Sequence, residues 1–181
     1  VALVRPDWVR IWVQLGLAAV LVALAAWGLG HVIGSHNLLF ALGVQVLLMW
    51  WALALLAVTR PPLRGAFFTV NGWEVCLYQR LGAPAFGTLL RRVGWERLRR
   101  DARGFSGTRA SLARLDHATR EAEYSHLLLA LVCAGIALGA LSLHAADTAG
   151  WLMLTAIPTH LYPVMLQRSL RWRLQRLGIR G

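Results

Sequence analysis

Apolar residues in this chain gather into long unbroken runs rather than the periodic stripes of a water-soluble fold. The first run, from Ile11 to Ile33, exceeds at ~1.5 Å rise per residue the ~30 Å hydrocarbon core of a bilayer and predicts a tilted transmembrane helix. A cleaved signal peptide is the competing reading, with Arg5 and Arg10 as its charged lead and Ala23 and Ala25 as its small-residue site. The run stays apolar past that site through Trp27 and Val32, which favours a retained helix. The polar turn Gly34 to Asn37, GSHN, leads into a second run, Leu38 to Thr59, so the two spans form an antiparallel hairpin. A third run covers Leu127 to Leu143, and a fourth runs from about Gly150 to Gln167, after a short loop from His144 to Ala149.

Between the second and third runs the pattern changes, and residues 60 to 124 read as a basic helical region outside the membrane. Pro61 and Pro62 end the second span, since proline lacks the donor a helix needs. Phe67 to Tyr78 places aromatic and β-branched residues around Asn71-Gly72, a weak hairpin signal. In Phe86 to Arg100, Phe86, Leu89, Leu90 and Val93 recur at helical spacing beside arginines. Such a helix either lies in the headgroup plane or packs on the ends of the spans. Arg103 to Thr108 reads as a flexible link, and Thr108 or Ser111 caps a helix that continues through Tyr124 into the third span. Within that span Gly135 and Gly139 form a small-x-x-x-small pair, expected to serve internal packing rather than a dimer.

Composition agrees with the bilayer: 57% of the 181 residues are hydrophobic, 15% are charged and nine are tryptophan. All 19 basic residues are arginine, giving a net charge of +11. They cluster beside the apolar runs without any nucleic-acid motif, so they carry topology rather than nucleic-acid binding. Both short loops lack arginine, while the central region and the tail from Arg168 to Gly181 are rich in it. The positive-inside rule therefore puts both termini and residues 60 to 124 in the cytoplasm. The expected fold is all-α, one integral membrane domain over residues 1–181, with four transmembrane helices in two antiparallel hairpins. Trp8, Trp12, Trp50 and Trp51 suit an interfacial belt, and His31 and His36 a polar outer rim. Cys76 and Cys133 are far apart in sequence and read as free thiols.

This topology brings two polar clusters to one leaflet. REAEYSH, residues 120 to 126, enters the third span there, and YPVMLQR, residues 162 to 168, leaves the fourth. Pro158 and Pro163 leave the carbonyls of Leu154 and Thr159 short of donors, which at membrane depth needs protein or a wet cavity. Glu123 and His126 lie three apart on one helical face. Glu123 orienting His126 makes a general base for a hydroxyl. Arg168 suits a carboxylate or phosphate, and Gln167 or Tyr162 a developing oxyanion. The same residues also fit a plain ion pair at the helix ends. Glu-x-x-His occurs once, and a di-iron bundle needs it twice, so no metal is expected.

EAEYSH before one apolar span and LYPVMLQRSLRWRL after the next resemble the glycosyl-4,4'-diaponeurosporenoate acyltransferase family over roughly Glu74 to Leu174. These are small bacterial membrane proteins associated with acylating the sugar of a carotenoid glycoside. The matching positions are Glu121, Glu123, His126, Pro163, Gln167, Arg168 and Arg173. The family's Gln-Arg-Tyr-Asn-Arg is here Gln167-Arg168-Ser169-Leu170-Arg171, and its common Asn before Leu-Tyr-Pro is His160. The resemblance implies an acyltransferase of the bacterial inner membrane, acting on a lipid-like glycoside at the cytoplasmic leaflet. His126 and Glu123 are its candidate catalytic residues. Glu121, His160, Tyr162, Gln167, Arg168 and Arg173 are candidates for binding substrate. No cofactor is called for, and the acyl donor is either acyl-CoA or another activated acyl group. The expected partners are membrane lipid and the lipid-like acceptor, and the oligomeric state stays open. The alternative is a non-catalytic module that binds anionic lipid or a partner protein through its arginine face.

Overall fold

The computed structural model describes residues 8–94 and 108–179, with the side chains of residues 109 and 110 left aside. Every regular element among the described residues is helical. In chain order they are α1 (Trp8–Ile33), α2 (Leu38–Thr59), a single 3-10 turn (Ala66–Phe68), α3 (Gly72–Arg80), α4 (Ala83–Arg92), α5 (Arg109–Ser142), α6 (Ala146–Ala156), a π-helical turn (Ile157–Leu161) and α7 (Tyr162–Arg176). Three helical stretches are long and apolar enough to cross a membrane: Trp8–Ile33, Leu38–Thr59 and Ser111–Ser142. The fourth apolar run is divided by the π turn into shorter helices.

Residues 1–61 with 128–157 form one compact unit, and residues 62–127 with 158–181 form a second. The first opens on the α1–α2 hairpin, whose turn is built by Asn37. Its side-chain oxygen accepts from the Phe40 N–H at 2.9 Å while its Nδ2 donates to the Ile33 and Gly34 carbonyls at 2.7 and 3.0 Å. One residue thus caps both helices, and Gly34 at φ +77° supplies the left-handed step between them. α1 buries only Leu15 and leaves Trp8, Trp12, Leu17, Leu21, Leu24 and Trp27 exposed, the surface a lipid-facing helix presents.

The core of this unit takes Ala41, Val44, Leu48 and Ala52 from α2, Leu129, Cys133 and Ala137 from α5, and Ala149, Leu152 and Ala156 from α6. Each set recurs every three or four residues, so each helix contributes one face. Small residues on these faces let backbones approach where lipid tails remove any hydrophobic drive between helices. Gly135 and Gly139 do not share in this: a Cβ added at either meets nothing within 4 Å. The expected internal packing therefore falls to the neighbouring stripe of Cys133 and Ala137. Gln45 ties the three helices together. Its Nε2 donates to the Leu152 carbonyl at 3.2 Å and to Thr155 Oγ1 at 3.1 Å, and its Oε1 accepts from Cys133 Sγ at 3.1 Å.

In the second unit α2's successor segment begins at Pro62, after a left-handed Arg60 (φ 39°) has ended α2 by donating to the Leu56 carbonyl. Asn71-Gly72 does not turn a hairpin. Asn71 is instead the N-cap of α3, with Glu74 reaching back to its N–H at 2.9 Å. The reason is Glu74 itself: a carboxylate at the third helical position completes a capping box that a strand would leave unmade. α4 packs on α7 through its buried Ala83 and Gly87, where a Cβ at Gly87 would lie 3.3 Å from Leu166. Leu89 and Val93 stay exposed beside the exposed Arg91 and Arg92. Arg97, Arg99, Arg100 and most of the expected glycine-rich link lie outside the described residues. α5 starts where Thr108 Oγ1 accepts from the Ser111 N–H at 3.3 Å, and continues without a break through Tyr124 to Ser142, a length of about 50 Å.

Gln45→Ala is expected to lower unfolding stability in detergent by about 1–2 kcal/mol, since the Thr155 and Cys133 groups lose an interhelical partner. Gln45→Leu, which keeps the volume, should cost less. Thermal unfolding followed by circular dichroism separates the two, and equal losses would mean that only volume matters at this position.

Candidate functional site

The second unit holds an unusual number of buried polar groups, and they follow from two helical faces. On α5 the buried positions Asp116, Thr119, Arg120, Glu123 and His126 recur at three- and four-residue spacing. On the π turn and α7 the buried positions are His160, Val164, Gln167, Arg171 and Leu174. The faces pair in opposite directions along the chain. His126 meets His160, Glu123 meets Arg168 and Arg171, and Thr119 accepts from Arg171.

Glu123 is fully buried and both of its oxygens are taken by arginines. Arg168 Nη1 donates to Oε1 at 2.5 Å, and Arg171 Nη1 donates to Oε2. The expected Glu123–His126 pair is therefore not the contact Glu123 makes, because two charge-assisted guanidinium bonds outbid a neutral imidazole for one carboxylate. Arg168 also bridges to Glu74, with Nε and Nη2 at 2.9 and 2.6 Å from Oε2. Its remaining N–H groups reach the Phe67 and Thr69 carbonyls at 3.2 and 3.3 Å. All five donors of this guanidinium are engaged within the protein. Arg171, also fully buried, adds Thr119 Oγ1 at 3.1 Å and the Phe68 carbonyl at 3.3 Å, and lies 5.3 Å above the Phe68 ring. Arg120 pairs with Asp116 at 2.7 Å and donates to the Leu63 carbonyl at 3.0 Å.

Glu74, Asp116 and Glu123 thus face Arg120, Arg168 and Arg171, and the cluster is neutral overall. Burial alone would push the Glu74 carboxyl up. The Asn71 N–H and the Arg168 guanidinium more than offset that and hold it below the usual carboxylate value. Glu74, Asp116, Thr119, Arg120 and Arg171 were not among the sequence candidates. Glu74 had a readable signal in its capping position, whereas Arg171 looked like one more arginine of a basic tail.

His126 lies one turn beyond Glu123 on the same face, and its Nδ1 stands 3.3 Å from the Nδ1 of His160. Both rings are buried, His126 at 5% and His160 at 0% exposure. His160 is held there by the π turn, which the missing donors of Pro158 and Pro163 favour; such widened turns occur often at functional sites. Gln167 is buried on the same face and its amide bonds no other described side chain or backbone group. The Tyr162 hydroxyl donates to the Leu81 carbonyl at 2.9 Å, and its ring lies against Phe86. Glu121 turns outward to His117 at 3.6 Å, and Arg173 is exposed. The structure therefore gathers Glu123, His126, His160, Gln167 and Arg168 and leaves Glu121 and Arg173 on the outside. No group of three or more metal-ligating residues occurs among the described residues.

Residues 64–180, well over half of the chain, match the family model described as glycosyl-4,4'-diaponeurosporenoate acyltransferase. The chain belongs to that family. The match takes in the whole polar cluster from Glu74 to Arg171. No curated protein and no solved structure matches the chain. As a member of this acyltransferase family it joins apolar membrane-length helices to a buried imidazole pair, with a charge-neutral cluster one turn away.

Glu123→Ala leaves two buried guanidiniums short of their shared carboxylate and should cost about 3–5 kcal/mol of unfolding stability, against less than about 0.5 kcal/mol for the outward Glu121→Ala. Similar losses for both would contradict the cluster. Because the folded Glu74 carboxyl sits below its ordinary value, its contribution is present above that ordinary value and lost as pH falls through the lowered one. Glu74→Gln should accordingly flatten the acid side of a stability–pH profile.

Proposed function

We propose that this family member is a four-span enzyme of the bacterial cytoplasmic membrane that moves a fatty acyl group onto a hydroxyl of a lipid-like glycoside, a carotenoid glycoside or a close relative. The donor is acyl-CoA or another activated acyl group, and the reaction takes place at the cytoplasmic leaflet. Support for the topology comes from the three membrane-length helices, from the fourth apolar run at 150–167, and from the arginine-free loops opposite arginine-rich segments. Both termini and residues 60–124 then lie on the cytoplasmic side.

The observation that carries the chemistry is a buried histidine, His126, on a membrane-length helix in a member of an acyltransferase family. His126 takes the proton of the attacking hydroxyl as the new ester C–O bond forms. The bond to the leaving group then breaks, and the proton follows the leaving group. Gln167, whose amide is uncommitted, donates to the developing oxyanion. Tyr162 has given its hydroxyl to Leu81, and Arg168 has given its donors to Glu74 and Glu123, so both shape the site from behind. The exposed Arg173 meets acidic groups of donor or headgroup.

One observation favours a second reading, a non-catalytic module on anionic lipid: α4 and the residue that caps it expose Leu89 and Val93 next to Arg91 and Arg92. Comparative lipid mass spectrometry of cells making the wild type, His126→Ala, or the Arg91→Gln/Arg92→Gln double variant distinguishes the two. The expected result is loss of the acylated glycolipid in His126→Ala with the protein still in the membrane, and at most a small decrease in the double variant. Full activity of His126→Ala together with loss in the arginine variant would install the lipid-binding reading instead.

A further inference from the structure

A histidine that acts as a base is usually oriented by a carboxylate on its second nitrogen. Here the nearest carboxylate along the helix, Glu123, is held by Arg168 and Arg171, and the group at His126 Nδ1 is the Nδ1 of another imidazole. Two ring nitrogens 3.3 Å apart place a strict condition on protons. Two N–H groups facing each other collide and two lone pairs repel, so one proton lies between them, and in the neutral pair the rings are opposite tautomers. The rings are inclined at 47° with centroids 5.6 Å apart, a tilted arrangement that is not a stack and leaves the two Nδ1 atoms within bonding distance.

We propose that His160 is the positioning partner of His126, accepting its Nδ1 proton and so leaving His126 Nε2 as the unprotonated nitrogen that serves as base. This rests on the acyl-transfer reading and adds the residue that makes His126 competent. When His126 Nε2 takes the proton of the acceptor hydroxyl, the Nδ1 proton shifts toward His160 and the positive charge is shared by two rings. It returns as the Nε2 proton leaves with the departing group of the donor, so atoms and charge balance over the cycle. The π turn has a defined task here. It carries His160, and its geometry sets the separation of the two nitrogens. Burial of both rings keeps water from replacing either partner.

The test is nitrogen NMR of the full chain, histidine-labelled and in detergent micelles, alongside acyl transfer in cells. In the wild type, one Nδ1 of the pair should give a protonated, pyrrole-type signal and the other an unprotonated, pyridine-type signal. His160→Phe removes the acceptor, so the His126 Nδ1 signal should change type and transfer should fall by roughly 10²-fold. His160→Asn supplies a carbonyl oxygen in place of the ring nitrogen and should restore the His126 signal and most of the transfer. A His126 signal indifferent to His160→Phe, two pyridine-type Nδ1 signals showing no proton between the rings, or protonated-type signals from both Nε2 atoms showing a resting cation, overturns the proposal. The spectra are read without any turnover. If the tautomer responds as expected while no lipid is acylated, it is the acyl-transfer reading that fails and the imidazole pair that stands.

Discussion

The structure depends on the need to neutralise charge that has been removed from water. Three guanidiniums lie buried or nearly so in the second unit, and a guanidinium does not shed its proton to escape the cost. Three carboxylates answer them: Asp116 lies one turn from Arg120 on α5, while Glu74 from the start of α3 and Glu123 from α5 reach the distant Arg168 and Arg171. Glu123 is the hinge of this arrangement, since it alone answers two arginines. Segments with little apolar surface of their own are held in place by it. The stretch around Phe67 to Thr69, for instance, is pinned through its carbonyls to Arg168 and Arg171.

That lattice separates structure from chemistry within a few ångströms. The charged residues hold one another, and beside them on the same two helical faces lie two imidazoles bonded to each other and the amide of Gln167. On the proposed acyl-transfer reading, surroundings whose charges are already paired would suit a hydrophobic acceptor, because a lipid-like molecule has to desolvate any free charge it meets. In the same lattice each guanidinium is held by several acceptors in different directions.

Much of this was legible in the order of residues. The α1–α2 hairpin follows from two apolar runs and GSHN, since Asn37 is a residue type that caps helices and Gly34 one that turns left-handed. The long α5 was readable because nothing between Ser111 and Ser142 breaks a helix. The meeting of REAEYSH with the fourth run followed from topology, and the two segments do touch through Glu123 and Arg168. Pairing within the cluster was not readable. Glu123 has His126 as its local neighbour at helical spacing, yet its partners are more than forty residues away, and spacing along one helix carries no information on which arginine will arrive from another. The weak hairpin signal of Asn71-Gly72 failed for the same kind of reason: it was overridden by Glu74, three residues on, which serves the cap and the ion pair together.

The widened turn at Ile157–Leu161 bears on what a change of length would do to this chain. A π turn absorbs one residue beyond the α-helical count, so the loss of a single position there narrows it to an ordinary α-helical turn and leaves the phase of the residues after it unchanged. Such a deletion would spare Gln167, Arg168 and Arg171 on the face of α7 they occupy and would displace His160, which the turn itself carries. Within α7 there is no such slack, since one residue there corresponds to roughly 100° of rotation about the helix axis and takes every later side chain off the buried face. The wide turn is thus the place in the fourth run where length can change with least effect on the cluster that follows it.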